Sequence, residues 1–179
     1  MTRIEEGARA PRAGPRLRSW LPWLAVVLVI LALRGWVVES RTVSSDSMWP
    51  TVCAGDRVVL LKLGAGSRAD RGDLVFLTRP GTDDPLLKRV VAVAGQSVEI
   101  YDGALRVDGA PVEESYVDLD TVDGTFFGPV QVPDEAVFVL GDDRESSVDS
   151  RDFGPVPLDR VRGEVLTTLG SACEGVSRR

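Results

Sequence analysis

The sequence of 179 residues contains no histidine and only two lysines, Lys62 and Lys88, and its net charge is −6. The absence of histidine excludes a Ser-His-Asp triad, a histidine general base and a histidine-ligated metal site. Residues 1–38 carry six arginines against two glutamates, whereas residues 39–179 have a net charge of −10. An acidic main segment argues against nucleic acid as a partner, because phosphate binding requires a basic surface.

The N-terminal part of the chain has the pattern of a membrane anchor. Residues 1–19 are polar and contain five arginines, which indicates a disordered tail. Residues 20–38 are mostly apolar, and a segment of this length suits a bilayer core of about 30 Å. A buried core helix and a cleaved signal peptide are alternatives. The arginine-rich flank disfavours the first, and the lack of small residues at a cleavage site disfavours the second.

We therefore predict three parts: a cytoplasmic tail over residues 1–19, a transmembrane helix over residues 20–38 and an extracytoplasmic domain over residues 39–179. The excess of arginine before the apolar segment predicts that the N-terminus stays in the cytoplasm. The lipid bilayer is thus an expected partner.

A cluster of hydroxyl side chains, Ser44-Ser45-Asp46-Ser47, follows the apolar segment. Ser47 is the candidate nucleophile of this cluster. A serine hydroxyl is a weak nucleophile and needs a base within hydrogen-bond reach. Because arginine keeps its proton at ordinary pH, a nitrogen base in this chain has to be one of the two lysines.

Short β-branched segments separated by glycine-containing turns indicate that the main domain is mostly β. The predicted strands cover residues 57–61, 74–77, 86–93, 98–101, 105–107, 136–140 and 161–169. Residues 113–132 are acidic and irregular, and we expect residues 97–132 to form a small β insertion. No helical periodicity is found outside the anchor. The predicted fold is an antiparallel, barrel-like or sandwich-like β domain.

The two lysines differ in their predicted surroundings. Alternation along residues 86–93 places Lys88 on the same face as Leu86, Val90 and Ala92. An apolar face of this kind would desolvate the ammonium and lower its pKa. Lys62 lies beside a glycine-rich loop, where solvent keeps an ammonium charged. Lys88 is therefore the candidate base, although a strand lysine whose amine reaches water fits the same pattern.

The two cysteines, Cys53 and Cys173, lie far apart in the sequence. A disulfide and two unpaired thiols are both compatible with this spacing. No paired-cysteine motif is present, and we expect neither a metal nor any other cofactor.

Three segments together resemble the type I signal peptidases, the membrane-anchored serine–lysine proteases of the prokaryotic kind. Residues 45–51 are similar to the family's Ser-x-Ser-Met-x-Pro-Thr box, and residues 88–92 to its Lys-Arg-Val-Val-Ala box. Residues 141–151 are similar to its Gly-Asp-Asn-Arg-x-x-Ser-x-Asp-Ser-Arg box, although alone they are typical of an acidic surface loop. The order of the boxes and the upstream anchor also fit, and the resemblance covers about residues 20–165.

The resemblance implies a role for the matching residues of the first two boxes. Ser47 would be the nucleophile and Lys88 the general base. The Ser47 backbone N–H and the Ser45 hydroxyl would form the oxyanion hole, because two donors would point at the developing negative charge.

In the third box, the resemblance implies that Ser147 holds the Lys88 amine, and that Asp149 and Arg151 fix the loop that carries Ser147. The sequence departs from the family at Asp46, where glycine is usual. This carboxylate adds a charge beside the nucleophile, and we expect it to bear on substrate preference and on the pH optimum.

The activity implied by the resemblance is removal of signal peptides from secretory preproteins at the outer face of the membrane, after small residues of the Ala-x-Ala type. Two alternatives are a specialised peptidase of the same family for one pilin-like or conjugation substrate, and a non-catalytic, membrane-tethered β scaffold. The sequence gives no indication of the oligomeric state.

Overall fold

A computed structural model describes residues 20–67, 69–117, 125–170 and 173. The predicted tail, residues 1–19, lies outside the described residues. Chain contacts divide the protein into two units, residues 1–35 and residues 36–179.

Helix α1 (Leu21–Val37) forms from the apolar segment. The side chains of residues 21–30 are exposed, and those of Trp23 and Val29 have exposed fractions of 73% and 57%. The anchor prediction included Val38 in this helix. In the structure, Val38 is instead the first residue of a strand and pairs with Leu61. Among the residues that the structure describes, no helix combines the length and the apolar character needed to cross a membrane.

The rest of the described chain forms two antiparallel sheets, which confirms the mostly β antiparallel prediction. The strands are β1 (Val38–Thr42), β2 (Arg57–Leu61), β3 (Leu74–Thr78), β4 (Pro85–Val93), β5 (Ser97–Tyr101), β6 (Ala104–Val107), β7 (Ala110–Pro111), β8 (Phe127–Gln131), β9 (Ala136–Leu140), β10 (Val156–Pro157) and β11 (Val161–Leu169). The seven-stranded sheet has the order β1-β2-β11-β3-β4-β9-β10, and the four-stranded sheet has the order β7-β6-β5-β8. A short helix, α2 (Ser150–Phe153), follows β9.

The strands β1, β7 and β10 were not predicted from the sequence. Two further elements also differ from the prediction. The first is β8, which lies in a segment predicted to be irregular and contains Gly128 and Pro129. Both residues normally interrupt strands, but β8 is an edge strand of the smaller sheet, where a proline without an N–H is tolerated. The second is α2, where no helix was predicted; its four residues are too few to show a helical period.

Three apolar clusters hold the sheets and loops together. The first lies between the two sheets and joins Phe138 and Leu140 of β9 to Ile100 and Leu105. The second forms around β3, β4 and β9, and the third packs the segment after β1 onto β2 and β4. The third cluster positions the hydroxyl-rich segment, because Met48 and Val52 are fully buried in it.

The pairing of β4 corrects the predicted face of Lys88. Leu86 and Val90 belong to the second cluster together with Val75, which pairs with Lys88 from β3. Ala92 belongs to the first cluster instead, because the register between β4 and β9 shifts between Val90 and Ala92. An extra residue in one strand of a pair reverses the alternation beyond it.

Cys53 and Cys173 are joined by a disulfide, which links the segment after β1 to the segment after β11. Of the two alternatives that the sequence left open, the structure therefore contains the bonded form. The bond closes a loop of 120 residues of sequence.

We expect a Cys53→Ser/Cys173→Ser variant to lose about 2–4 kcal/mol in the free energy of unfolding, because a long cross-link restricts the unfolded chain. Urea unfolding of the variant and of the wild type measures this loss. Reducing agent should produce a similar loss in the wild type and none in the variant. Equal stability of the oxidised and reduced wild type would contradict the prediction.

Candidate active site

The loop between β1 and β2 presents Ser47. Met48 and Val52 anchor it in the third cluster, and the Val52 N–H donates to the Met48 carbonyl oxygen over 2.9 Å. Because Met48 and Val52 are buried, the loop has little freedom, and the half-buried Ser47 hydroxyl lies at a fixed place against Lys88.

Lys88 reaches Ser47 from the middle of β4. Its Nζ lies 2.7 Å from Ser47 Oγ and is hydrogen-bonded to it. The side chain has an exposed fraction of only 1%, and this burial lowers the pKa of the Lys88 amine from 10.5 to about 8. The nearby charge of Asp149 acts in the opposite direction and raises the pKa, while Arg151 lowers it. With this pKa, about a tenth of the Lys88 amine is neutral at pH 7, far more than for a lysine in water.

Ser45 is the third predicted residue at this point. Its hydroxyl oxygen lies 3.3 Å from Ser47 Oγ, on the exposed side of the loop. The structure therefore brings together Ser45, Ser47 and Lys88, which come from two separate segments of the chain. A groove of about 140 Å³ begins beside Ser45 and is bordered by Val43, Leu86 and Leu87.

The segment after β9 packs against Ser47 through Gly141. A methyl group at Gly141 would clash with the Ser147 hydroxyl and with the Ser47 carbonyl oxygen, so only glycine permits this close approach. The Asp143 N–H donates to the Ser47 carbonyl oxygen over 3.3 Å. This segment thus forms the wall behind Ser47.

Ser147 differs from its expected arrangement. Its hydroxyl is buried and has no hydrogen-bond partner within the described part of the chain, so the expected hydrogen bond with the Lys88 amine is absent. The burial against Gly141 fixes the Ser147 side chain, although it is not bonded to the lysine.

Asp149 and Arg151 fix the loop that carries Ser147. Asp149 is fully buried, accepts hydrogen bonds from the Arg151 Nε and Nη2 groups at 2.8 and 2.9 Å, and also accepts from the Gly141 N–H at 3.0 Å. It caps α2 through the Arg151 N–H. One carboxylate therefore holds both ends of the loop. The hydrogen bonds to Asp149 also raise the pKa of the Arg151 guanidinium, against the effect of burial.

The carboxylate of Asp46, which we expect from the sequence to bear on substrate preference and on the pH optimum, accepts a hydrogen bond from the Ala54 N–H over 2.9 Å. Its carbonyl oxygen accepts from the Trp49 N–H at the same distance. Asp46 therefore closes the loop that carries Ser47. The charged groups that shift the pKa of Lys88 are Asp149, Arg151, Asp142 and Asp143.

Sequence reasoning missed two residues near the site, Glu114 and Tyr116. Both lie in the segment predicted to be a surface insertion, yet Glu114 is buried and Tyr116 is half-buried. Nothing in the local pattern separates Glu114 from the exposed Glu113 beside it. Within the described residues, no group of three or more potential metal ligands is assembled.

Comparisons with known proteins agree with this geometry. The family model for signal peptidases, peptidase S26, matches residues 17–169. The chain is 38% identical over 160 residues to a probable signal peptidase I-1 of Synechocystis sp., covering 84% of this chain and 81% of that protein. It is 36% identical over 149 residues to signal peptidase I S of Bacillus subtilis, covering 75% and 79%.

A solved structure gives the same result at the level of the fold. The crystal structure of a signal peptidase I from Enterococcus faecalis is similar with a TM-score of 0.50 and 30% sequence identity, covering 56% of this chain and 98% of that one. The boxes, the sheets and the relatives thus agree. The chain therefore belongs to the type I signal peptidases, a family of serine protease hydrolases.

Proposed function

We propose that this protein is a serine endopeptidase with a Ser47–Lys88 dyad that removes signal peptides from secretory preproteins. The observation that carries the proposal is the 2.7 Å contact between the Lys88 amine and the Ser47 hydroxyl in a site that buries the lysine. A non-catalytic scaffold has no use for a lysine whose desolvation is costly. Nothing in the site favours the specialised peptidase over the general one.

In this mechanism, neutral Lys88 accepts the proton of Ser47 Oγ while that oxygen attacks the scissile carbonyl carbon. The Ser45 hydroxyl and the Ser47 backbone N–H donate to the resulting oxyanion. The Lys88 ammonium then gives its proton to the leaving amine, and an ester between Ser47 and the signal peptide remains. Water hydrolyses this ester with Lys88 again as the base, which restores the free enzyme.

The third box supports the lysine in this scheme and does not take part in the chemistry. Asp149 and Arg151 hold the loop that packs Ser147 and Gly141 behind the nucleophile. Their opposite charges also act on the pKa of Lys88 in opposite directions. We infer that this ion pair keeps the pKa of Lys88 close enough to neutral pH for the amine to be present in both protonation states.

The groove beside Ser45 supports cleavage after small residues. Its volume is about 140 Å³, and Val43, Leu86 and Leu87 line it together with polar residues such as Thr42 and Ser44. A site of this small volume accepts alanine and excludes larger side chains, which is the preference expected for Ala-x-Ala sequences. The names of the relatives, signal peptidase I, agree with a preprotein substrate.

We also propose that residues 20–37 anchor the protein in the membrane, with residues 1–19 in the cytoplasm. Support comes from the apolar sequence, from the arginines before it and from the exposure of apolar side chains along α1. Extensive exposed apolar surface marks a site that contacts another apolar phase. An anchor would hold Ser47 at the surface where preproteins emerge.

Ser47→Ala and Lys88→Met should each lower cleavage of an Ala-x-Ala preprotein by at least about 10²-fold, because each removes one half of the dyad. The change to methionine keeps the length of the buried stem. Lys62→Met is the matched control, since Lys62 is the other lysine and lies outside the site; its activity should stay at the wild-type level. Circular dichroism checks that all three variants fold. Full activity in either dyad variant would refute the proposed mechanism.

The cleavage rate should depend on pH through Lys88. Because burial lowers the pKa of its amine to about 8, the neutral base is scarce below this pH and predominant above it. We expect kcat/KM to rise about tenfold per pH unit on the acid side and to level off above pH 8, since kcat/KM reports ionisation of the free enzyme.

The pH dependence is measured with a soluble Ala-x-Ala peptide, and Lys62→Met serves again as the control and should give the same profile. A flat profile over about three pH units around neutrality would show that Lys88 is not the titrating base.

Protease added to intact spheroplasts should degrade residues 39–179 and leave a membrane-protected N-terminal fragment. The reason is the orientation predicted from the arginines before the apolar segment. Blotting against tags at the two ends follows both parts. Replacing the five arginines of residues 1–19 with glutamine is the control and should weaken this orientation. Protection of the C-terminal tag in the wild type would show that the orientation is wrong.

A further inference from the structure

A set of buried polar contacts joins the smaller sheet to the site. Glu114, in the segment after β7, accepts hydrogen bonds from the Arg144 guanidinium and from the Tyr116 hydroxyl, the latter over 2.8 Å. The side chains of Glu114 and Arg144 each have an exposed fraction of 2%. Arg144 Nη1 has no hydrogen bond within the described residues, so Glu114 is the main compensation for this buried charge.

The first arm of this set ends on the nucleophile. Arg144 Nε donates to the Gly141 carbonyl oxygen over 3.1 Å. Gly141 in turn packs against the Ser47 carbonyl oxygen, where even a methyl group has no room. A displacement of the Arg144 guanidinium would therefore move the Gly141 backbone, and Gly141 would move the Ser47 backbone that it contacts.

The second arm ends beside the lysine. The Arg89 guanidinium lies 3.9 Å from the centre of the Tyr116 ring, at the distance of a cation–π contact. Arg89 also donates twice to Asp142, over 2.8 and 2.7 Å, and Asp142 accepts from the Thr51 hydroxyl. Because Arg89 follows Lys88 directly in β4, this arm fixes the strand that presents the base.

Both arms begin at the contact between Glu114 and Tyr116, and both reach the segment after β9, one at Gly141 and the other at Asp142. A buried ion pair adds little to stability compared with apolar residues of the same size, because desolvation offsets the attraction between the charges. The pair does, however, define one arrangement of the groups that it joins. Burial and the charge of Glu114 both raise the pKa of Tyr116, so its hydroxyl keeps its proton and remains a donor.

We propose that Glu114 and Tyr116 are positioning residues, which hold residues 141–144 against the Ser47 loop and thereby set the contact between Ser47 Oγ and Lys88 Nζ. This inference rests on the proposed function. It assigns a role in cleavage to a segment outside the three boxes, and the role depends on geometry because neither residue touches the reacting atoms.

The test compares Glu114→Gln and Tyr116→Phe with the wild type. We expect Glu114→Gln to lower kcat by about 10–100-fold, because a small misplacement of reacting groups costs that much, and to leave KM within about twofold. Tyr116→Phe keeps the ring under Arg89 and removes only the hydroxyl, so its loss should be smaller. Acylation of Ser47 by a penem-type inhibitor should slow in parallel with kcat.

Two controls separate positioning from general destabilisation. Glu99→Gln removes a glutamate of the same smaller sheet whose pair with Arg106 is exposed, and its kcat should stay at the wild-type level. Leu105→Val destabilises the first cluster without touching the clamp formed by Glu114 and Tyr116. At a temperature where thermal unfolding shows each variant to be folded, Leu105→Val should keep the wild-type kcat and Glu114→Gln should not.

Each of these results either supports or overturns the positioning role of Glu114 and Tyr116. A wild-type kcat in folded Glu114→Gln, or an equal kcat loss in Leu105→Val at matched stability, would overturn the positioning role. If the wild type itself neither cleaves the peptide nor forms the Ser47 adduct, the proposed function fails, and that failure is visible before any variant is compared. A lower kcat with unchanged KM and slower acylation, confined to the clamp variants, supports the inference.

Discussion

The contact between the Lys88 amine and the Ser47 hydroxyl is the constraint on which the rest of the site depends. An ammonium group loses its hydration when it is buried, and this cost lowers the pKa of Lys88 to about 8. The carboxylate of Asp149 limits the effect, and the guanidinium of Arg151 adds to it. The amine is thus a base that can take up a proton near neutral pH and release it again. A lysine in water could not serve, because its pKa lies too far above neutral pH.

This constraint explains why three separate parts of the chain meet at one place. The serine lies in a loop after the edge strand β1, the lysine in the middle of β4, and the wall behind them directly after β9. Strand β4 pairs with β9, so the loop after β9 is carried to the lysine by the sheet itself. Gly141 then allows the backbone of this loop to approach Ser47 more closely than any other residue would.

The sequence singled out Ser47 and Lys88, which the structure brings into contact, but it did not reveal all of the residues that support them. The absence of histidine and the scarcity of lysine leave Lys88 as the base for Ser47, and β-branched segments identify most strands. By contrast, β8 contains residues that normally break strands, and only its edge position makes Pro129 acceptable. The face of Ala92 depends on a register shift, and the burial of Glu114 depends on a partner 30 residues away. Local patterns carry no information about such distant contacts.

Asp46 contributes to the shape of the loop that carries Ser47. Although it lies next to the nucleophile in sequence, its carboxylate binds the Ala54 N–H and stabilises the loop. The charges that act on Lys88 all come from residues 142–151, on the other side of the site. The charged groups that act on the lysine therefore belong to one segment. Burial, the largest influence on the pKa of Lys88, also depends on the loop that carries Ser47, because Ser47 contacts the amine. A change in residues 142–151 would alter the charges around the lysine, whereas a change in the Ser47 loop would alter its burial.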